Sequence, residues 1–241
     1  HGCNGKMGQV VSRMVDETEG MELAAGVDRF LGRENPYPVF ESVEACDVPV
    51  DVVIDFSNAA AVDDLLEACE KKGLPVVLCT TGLSEEQIAK VKKTSEKVAV
   101  LRSANMSLGV NLQLALVKQA ARILGEAFDA EIIETHHNLK YDAPSGTAKM
   151  ILDGILEVYP DRYGNFGRAG MGQREKKEIG VQSVRMGNVV GVHEVHICTG
   201  TQCLTLKHEA QSRDLFAEGA LEAASFLLGK KSGLYVMKDL I

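Results

Sequence analysis

Three short apolar runs in the first half of the chain constrain its fold more than any other feature. They cover residues 51–57, 74–79 and 98–102, and amphipathic segments follow the first two. Runs this short and this apolar are typical of parallel strands that are buried on both faces. Alternating strands and helices predict an α/β fold with a Rossmann-like, doubly wound parallel sheet, which binds ligands at the carboxyl ends of its strands.

Polar residues stand at two of these carboxyl ends. The loops after the second and third runs contain Cys79, Thr80, Thr81 and Gly82, and Ser103, Ala104, Asn105 and Met106. Because ligands bind at this edge of a doubly wound sheet, both loops are candidate nucleotide-binding segments.

A glycine-rich segment opens the chain. Gly2, Gly5 and Gly8 have G-x-x-G-x-x-G spacing and lead into a helical pattern of apolar residues. Such a loop lets backbone amides approach a pyrophosphate at the start of a helix. The fingerprint requires a strand before the first glycine, and only one residue precedes it here. We therefore expect the first strand of the fold to be missing from this sequence, and a plain tight turn remains the alternative.

An acidic residue follows the next predicted strand, residues 21–27. Asp28 lies twenty residues after Gly8, the spacing at which dinucleotide folds place a carboxylate on the adenosine ribose of NAD. Arg29 comes next and is able to meet the 2′-phosphate of NADP instead. The pattern therefore indicates NADH or NADPH without choosing between them, and a polar strand end is the alternative.

Residues 131–149 carry most of the chemistry in the second half. An alternating β-branched run predicts a strand, and His136, His137 and Lys140 follow it. Ser145 and Gly146 then begin an amphipathic helix, whose first amides and dipole favour an anion. This combination suggests a carboxylate or phosphate substrate that is protonated during the reaction. The plain alternative is a strand, a turn and a capped helix with two ordinary histidines.

The remainder of the chain predicts a second, α+β domain with an open mixed sheet. Strands are expected at residues 130–135, 180–186, 189–198 and 202–208, with a helix at 107–125 and a long loop at 162–178. An open sheet with helices on one face needs its other face covered, which makes oligomerisation through the sheet plausible. His193, His196 and His208 fall in these strands, and we expect them to be structural.

Composition excludes several classes of protein. The formal net charge is -8 and no basic block offsets it, which argues against nucleic-acid binding. No apolar run has membrane-spanning length and no signal-peptide pattern is present, so we expect a cytoplasmic protein that does not bind membranes. The six cysteines lack C-x-x-C spacing, so we expect reduced thiols and no metal site.

Residues 134–148 closely resemble the signature of the dihydrodipicolinate reductase family, E-x-H-H-x-x-K-x-D-A-P-S-G-T-A. Every specified position matches, from Glu134 to Ala148. The likeness continues in D-F-S at 55–57, T-T-G at 80–82, A-N-x-S-x-G-V-N at 104–111, V-G-x-H-x-V at 190–195 and S-G-L-Y at 232–235. Met106 stands where the family has an aromatic residue.

The resemblance implies a reductase of lysine and diaminopimelate biosynthesis. NADH or NADPH would deliver a hydride to the dehydrated form of 4-hydroxy-tetrahydrodipicolinate, giving tetrahydrodipicolinate. His136 matches the family's general acid, a role that suits histidine because its unperturbed pKa is near neutral. Lys140 matches the lysine that holds the substrate and assists proton delivery. The dicarboxylate-binding positions are His137, Lys140, Ser145, Gly146 and Thr147.

The resemblance also implies the cofactor site and the domain organisation. A dinucleotide-binding domain would comprise residues 1–106 and 215–241, because the tail returns to it, and residues 107–214 would form the substrate-binding domain. Family members are typically homotetramers joined through the sheet of this second domain. The cofactor-binding positions are Gly2, Cys3, Asn4, Gly5, Lys6, Met7, Asp28, Arg29, Cys79, Thr80, Thr81, Gly82, Ser103, Ala104, Asn105, Met106, Arg213 and Phe216.

Two other functions fit parts of the pattern. Another two-domain NAD(P) dehydrogenase for an amino or keto acid would use the same lysine and the same helix start to hold a carboxylate. A catalytically silent dinucleotide-binding regulator would keep the fold. Its mark would be a disrupted histidine and lysine set, and in this chain the set is complete.

Overall fold

The computed structural model describes residues 1–241, which divide into two compact units. The first unit contains His1–Leu108 and Asp214–Ile241, and the second contains Gly109–Arg213. None of the helices combines the length and the hydropathy that crossing a lipid bilayer requires.

The helices, in chain order, are α1 (Lys6–Glu17), α2 (Val62–Lys72), α3 (Glu85–Ser95), α4 (Leu108–Leu124), α5 (Gly146–Val158) and α6 (Asp214–Leu227). The strands are β1 (Gly26–Val27), β2 (Val39–Phe40), β3 (Val53–Asp55), β4 (Val76–Leu78), β5 (Ala99–Arg102), β6 (Asp129–His136), β7 (Tyr163–Phe166), β8 (Glu178–Arg185), β9 (Gly191–Cys198), β10 (Cys203–Ala210) and β11 (Gly233–Tyr235). Short 3-10 turns occupy Ala59–Ala61, Gly125–Ala127 and Met237–Asp239.

The larger sheet of the first unit is formed by the three predicted apolar runs and the tail. Its strands are all parallel, in the order β11-β5-β4-β3. Successive residues face opposite sides: Val76 and Val100 lie in the core with α2 and α3, whereas Val77 and Leu101 lie in the core with α6. Because helices cover both faces, the strands are apolar throughout. The prediction of a Rossmann-like, doubly wound parallel sheet is confirmed.

The strand expected at residues 21–27 is much shorter than predicted. Only Gly26 and Val27 form β1, and they pair in parallel with β2, a strand that the sequence did not indicate. An apolar pattern forms a strand only where a neighbouring strand supplies hydrogen bonds, and residues 21–25 are not in a sheet. The amide of Gly2 donates to the Val27 carbonyl at 2.8 Å, and the main-chain nitrogen of His1 donates to the Ile54 carbonyl at the same distance.

The second unit contains the predicted open mixed sheet, in the order β10-β9-β6-β8-β7. Its central strand, β6, runs parallel to β8 and antiparallel to β9. Alternation along β6 buries Ala130, Ile132, Glu134 and His136 on one face. The apolar members of that face pack with α4 and α5, whereas the opposite face is only half-buried.

The segment predicted as a loop, residues 162–178, is partly structured. β7 pairs in parallel with β8. Arg174 fixes the following residues because its guanidinium donates to Asp129 at 2.8 Å and to the Glu178 carbonyl at 2.6 Å. The sequence gives no signal for β7, since it is an edge strand with exposed or half-buried side chains.

The expectation that every cysteine is a free thiol is wrong for one pair. Cys198 and Cys203 form a disulfide across the hairpin of β9 and β10, where they lie directly opposite each other. This pairing follows from the strand register, which the cysteine spacing alone does not give. The remaining cysteines, Cys3, Cys46, Cys69 and Cys79, are free and buried.

Candidate active site

The glycine loop of the first unit has the geometry of an anion-binding turn. Gly2 has a φ of +81°, and a Cβ there would lie 2.9 Å from the Phe56 carbonyl oxygen. A Cβ at Gly8 would lie 2.1 Å from the Gly2 carbonyl oxygen, so neither position accepts a side chain. α1 then begins after Gly5 without a side-chain cap. An uncapped helix start behind a tight glycine turn fits a pyrophosphate, because its amides and dipole favour negative charge.

Asp28 is attached to this loop. Its carboxylate accepts the Asn4 amide at 3.0 Å and the Phe30 amide at 2.9 Å, so it lies beside the glycine turn at the end of β1. Arg29 is exposed. Two main-chain amides therefore hold the side chain of Asp28 in place, whereas the side chain of Arg29 extends into solvent.

The predicted strand-end loops lie at the carboxyl ends of β4 and β5. Thr80 donates its hydroxyl to the buried carboxylate of Asp55 at 2.6 Å, and Thr81 and Gly82 follow it on the surface. In the second loop the Ser103 hydroxyl donates to the Asn105 carbonyl and accepts the Asn105 amide, a closed turn. These loops present backbone and small polar groups at the edge where the fold binds ligands.

Several of the predicted cofactor positions have buried side chains. Cys3, Cys79 and Met106 are less than one-tenth exposed, and burial raises the pKa of both thiols. Met106 packs with Phe216 of α6 in the core of the first unit. Such residues offer a ligand their backbone and not their side chains. Arg213, the last residue of the second unit, is exposed.

The proposed acid, His136, is the last residue of β6 and is bound to a carboxylate on the same strand. Its Nδ1 lies 2.5 Å from Oε2 of Glu134, which is fully buried. Residues two apart on a strand share a face, which is why these side chains meet. A Cβ at Gly191 would lie 3.1 Å from His136 Nε2, so the glycine makes room for the ring.

The carboxylate of Glu134 accepts hydrogen bonds from three other members of this cluster. Burial opposes its ionisation, but hydrogen bonds from His136, Arg185 and the Ser145 amide outweigh burial and hold the pKa of Glu134 well below its usual range. Arg185 donates from both terminal nitrogens to the two carboxylate oxygens, each at 2.8 Å. An ionised carboxylate only accepts hydrogen bonds, so His136 carries a proton on Nδ1 and presents Nε2 elsewhere.

His193, which we expected to be structural, belongs to the same cluster. Its Nε2 lies 3.0 Å from the Ser145 hydroxyl, and its ring stands edge-on to the His136 ring with 5.1 Å between centroids. Burial, together with the neighbouring His136, lowers the pKa of His193 to about 4. Gln113 of α4 holds this part of the sheet by donating to the His193 carbonyl at 2.8 Å.

Lys140 and the turn that carries it lie just beyond β6. The Lys140 amide donates to the His137 carbonyl at 3.1 Å, which bends the chain back after the strand. The Lys140 ammonium lies 2.8 Å from Asp142, and this hydrogen bond lowers the pKa of Asp142. His137 is half-buried and outside the strand. The turn therefore holds a positive charge close to the end of β6.

The amide and the hydroxyl of Ser145 both form hydrogen bonds within the protein. Its amide donates to Glu134 at 3.1 Å, and its hydroxyl caps α5 by accepting the Ala148 amide at 3.1 Å. Gly146, the first residue of α5, is exposed, with open space where a side chain would be. Thr147 is half-buried. The start of α5 at Gly146 is therefore open to solvent, at the end of the helix whose dipole favours an anion.

Sequence reasoning overlooked three members of this cluster. Glu134 could have been predicted from the sequence, because its spacing of two from His136 places both side chains on one face of a strand. Arg185 and His193 join the cluster through the register of β8 and β9 with β6. No local pattern gives that register. No cluster of three or more metal-ligating side chains is present.

Comparisons with known proteins agree over the whole chain. The family model described as dihydrodipicolinate reductase, N-terminus, matches residues 1–106, and the C-terminus model matches residues 109–241. The 4-hydroxy-tetrahydrodipicolinate reductase of Clostridium novyi is 47% identical over 241 residues, covering 100% of this chain and 96% of that protein. The enzyme of the same name from Caldanaerobacter subterraneus subsp. tengcongensis is 46% identical with the same coverage.

A solved structure gives the same result. The dihydrodipicolinate reductase of Paenisporosarcina sp. TG-14, determined with dipicolinate bound, superimposes with a TM-score of 0.84 at 27% identity. The match covers 100% of this chain and 97% of that one.

Proposed function

Because this chain belongs to the dihydrodipicolinate reductase family, we propose that it reduces 4-hydroxy-tetrahydrodipicolinate to tetrahydrodipicolinate with NADH or NADPH. The reaction releases one water, takes one hydride from the reduced nicotinamide and takes one proton. The product serves lysine and diaminopimelate biosynthesis. The observation that carries the proposal is the contact between His136 and the ionised Glu134 at the end of the strand that leads to Lys140.

The proton is the part of this reaction that the protein must supply. Hydride addition builds negative charge on the conjugated nitrogen system of the substrate, and a positioned acid neutralises that charge as it forms. His136 holds one proton on Nδ1 against Glu134, so Nε2 is the nitrogen that exchanges a proton with the substrate. To act as the acid, the ring must carry a proton on Nε2 as well as on Nδ1.

The diacid is held by charge and by backbone amides. In this proposal Lys140 pairs with one carboxylate of the substrate, which competes with Asp142 for the ammonium. The exposed start of α5 at Gly146 and Thr147 receives a carboxylate, with His137 nearby in the chain. His136 and Lys140 thereby act on one bound molecule.

The cofactor is assigned to the first unit. The bound nicotinamide supplies the hydride. The turn from Gly2 to Met7 and the uncapped start of α1 would hold the pyrophosphate, and Asp28 would accept the ribose hydroxyls. Thr80, Thr81, Gly82 and the Ser103–Met106 loop stand at the strand ends of the same sheet. The exposed Arg29 would meet a 2′-phosphate, so the residues present suit either NADH or NADPH.

We also propose a cytoplasmic homotetramer. One face of the sheet in the second unit carries the half-buried Ile133 and Val192 and the exposed Val184, and it supports assembly because such a face is stabilised when it is covered. Light scattering on the purified protein would give a mass four times that of the chain. A monomer at assay concentration would remove this part of the proposal.

The reaction is tested by mixing the purified chain with the hydroxy-diacid and NADH or NADPH. We expect loss of the reduced-nicotinamide absorbance and a product, identified by mass spectrometry, that has lost water and gained two hydrogens. Turnover of an amino or keto acid in place of this diacid would indicate the other dehydrogenase. Cofactor binding without turnover of any of these compounds would indicate a silent regulator.

A further inference from the structure

Arg185 occupies a central position in the second unit, and the proposed function gives it no role. It is the last residue of β8 and lies opposite His136 in the strand register. Its two terminal nitrogens donate to both oxygens of Glu134 at 2.8 Å. One of them, Nη2, also donates to the main-chain carbonyl of Asp142 at 2.7 Å. One guanidinium therefore joins the carboxylate partner of His136 to the turn that carries Lys140.

The second of these contacts leads directly to Lys140. The Asp142 side chain pairs with the Lys140 ammonium at 2.8 Å while its carbonyl receives Arg185. Asp142 is thus held at both ends, and the lysine is tied to the strand end through two short contacts. A fourth hydrogen bond, from Nη1 to the Val184 carbonyl at 2.8 Å, fixes the orientation of the Arg185 side chain.

We propose that Arg185 is a positioning residue that sets the spacing between His136 and Lys140, acting through Glu134 on one and through the Asp142 carbonyl on the other. This inference rests on the proposed function, because it assigns a purpose to the separation of those two side chains. A planar guanidinium has donors in a fixed fork, so it is able to hold two acceptors at a defined angle. An ammonium is a point charge and does not fix that angle.

A simpler role for Arg185 is to neutralise the buried Glu134. The two roles make different predictions for Arg185→Lys, which keeps the charge and loses the fork. If neutralisation is the whole role, the lysine variant restores wild-type kinetics. If positioning is the role, the lysine variant folds but fails to place both neighbours, so kcat falls and dicarboxylate affinity weakens together.

The experiment compares wild type, Arg185→Lys and Arg185→Gln for kcat, KM, thermal unfolding and the Kd of dipicolinate measured by calorimetry with NADH present. We expect Arg185→Lys to unfold close to the wild-type temperature, with kcat lowered at least about tenfold, the scale of a misplaced catalytic group. Its dipicolinate Kd should rise by about tenfold as well, equivalent to one hydrogen bond to a charged group. Arg185→Gln should lower kcat further and raise the dipicolinate Kd further than Arg185→Lys does.

Arg174→Lys is the matched control. Arg174 also donates to a carboxylate, Asp129 at 2.8 Å, and to main-chain carbonyls of the same sheet. It lies at the opposite end of β6 from His136, since Asp129 begins that strand. We expect its variant to keep wild-type kcat and dipicolinate affinity, even if its unfolding temperature falls.

Wild-type kcat and wild-type dipicolinate affinity in a folded Arg185→Lys protein would overturn the proposal. If Arg185→Lys does not fold, the paired exchange Glu134→Gln with Arg185→Gln removes both buried charges. Wild-type dipicolinate affinity in that protein would overturn it equally. Absence of turnover in the wild type would count against the proposed reaction alone, because dipicolinate binding still reports whether Arg185 positions the diacid site.

Discussion

Oε2 of Glu134 lies 2.5 Å from Nδ1 of His136, and the two side chains share the buried face of one strand. The carboxylate is ionised in the folded protein because Arg185 and the Ser145 amide also donate to it. It therefore fixes the histidine ring through one nitrogen and leaves the other, Nε2, for the substrate. The same physical contact sets the tautomer and the orientation of the proposed acid.

Glu134→Gln tests this contact directly. The amide keeps the shape but loses the charge, so the Arg185 guanidinium stays partly buried without an anion. Breaking one side of a buried ion pair costs about 3 kcal/mol, and we expect the free energy of unfolding to fall by that order. Turnover should fall as well, because an amide donates as well as accepts hydrogen bonds and so no longer fixes which ring nitrogen of His136 carries the proton. Denaturant unfolding and steady-state kinetics measure both effects, and an unchanged kcat would show that the carboxylate does not assist His136.

Lys140→Met removes the proposed substrate cation while keeping the length of the side chain. We expect the Kd of dipicolinate to rise by about tenfold or more, because a charge-assisted contact is lost, and kcat to fall. Lys177→Met is a matched control: Lys177 also pairs with an aspartate, Asp161, at 2.8 Å in the second unit. The affinity of Lys177→Met for dipicolinate should match that of the wild type. Equal binding by both variants would remove Lys140 from the diacid site.

The stability of the protein should depend on pH through His193. Its pKa in the folded protein is about 4, against 6.5 for an unperturbed histidine. Between these values the unfolded chain binds a proton and the folded chain does not, so stability is lost as pH falls from about 6.5 to about 4, by at most about 3 kcal/mol. The charged and titratable groups that face this ring are His136 and Glu134 on β6, Lys140 on the following turn and His208 on β10.

The His193→Gln variant has no titrating group at this position, so it lacks the pH-dependent contribution of His193 to stability. Its side-chain amide keeps a group that is able to hydrogen-bond with Ser145. We expect the gap in unfolding free energy between wild type and variant to shift in favour of the variant as pH is lowered through that window. Denaturant titrations at a series of pH values provide the measurement. A gap that stays constant with pH would mean that the pKa of His193 is the same in the folded and unfolded states.

The distance along the chain between interacting residues decided what could be predicted from sequence. His136, Lys140 and Ser145 stand within ten residues, so one motif and the two-residue period of a strand placed them together. Arg185 and His193 enter through pairings of β6 with β8 and β9, more than forty residues away, and strand register across such separations has no local signal. The Cys198–Cys203 disulfide was missed for a related reason, because it depends on the facing positions of two strands.

Much of the fold of the first unit could be predicted from local hydrophobic patterns. The buried parallel strands of the first unit were visible as apolar runs because both of their faces are covered. β2 and β7 were not, since each is short or exposed and is held by pairing with a neighbour. The shortened β1 shows the converse: residues 21–25 have an apolar pattern but no neighbouring strand to pair with.

The most direct measurement is the turnover of His136→Gln beside wild type, with NADH affinity determined on the same preparations. If His136 gives the proton, kcat should fall by roughly 100-fold or more, the scale of general acid catalysis. Affinity for NADH should be unchanged, because the cofactor is assigned to the first unit. Near-normal turnover in this variant would contradict the assignment of His136 as the acid.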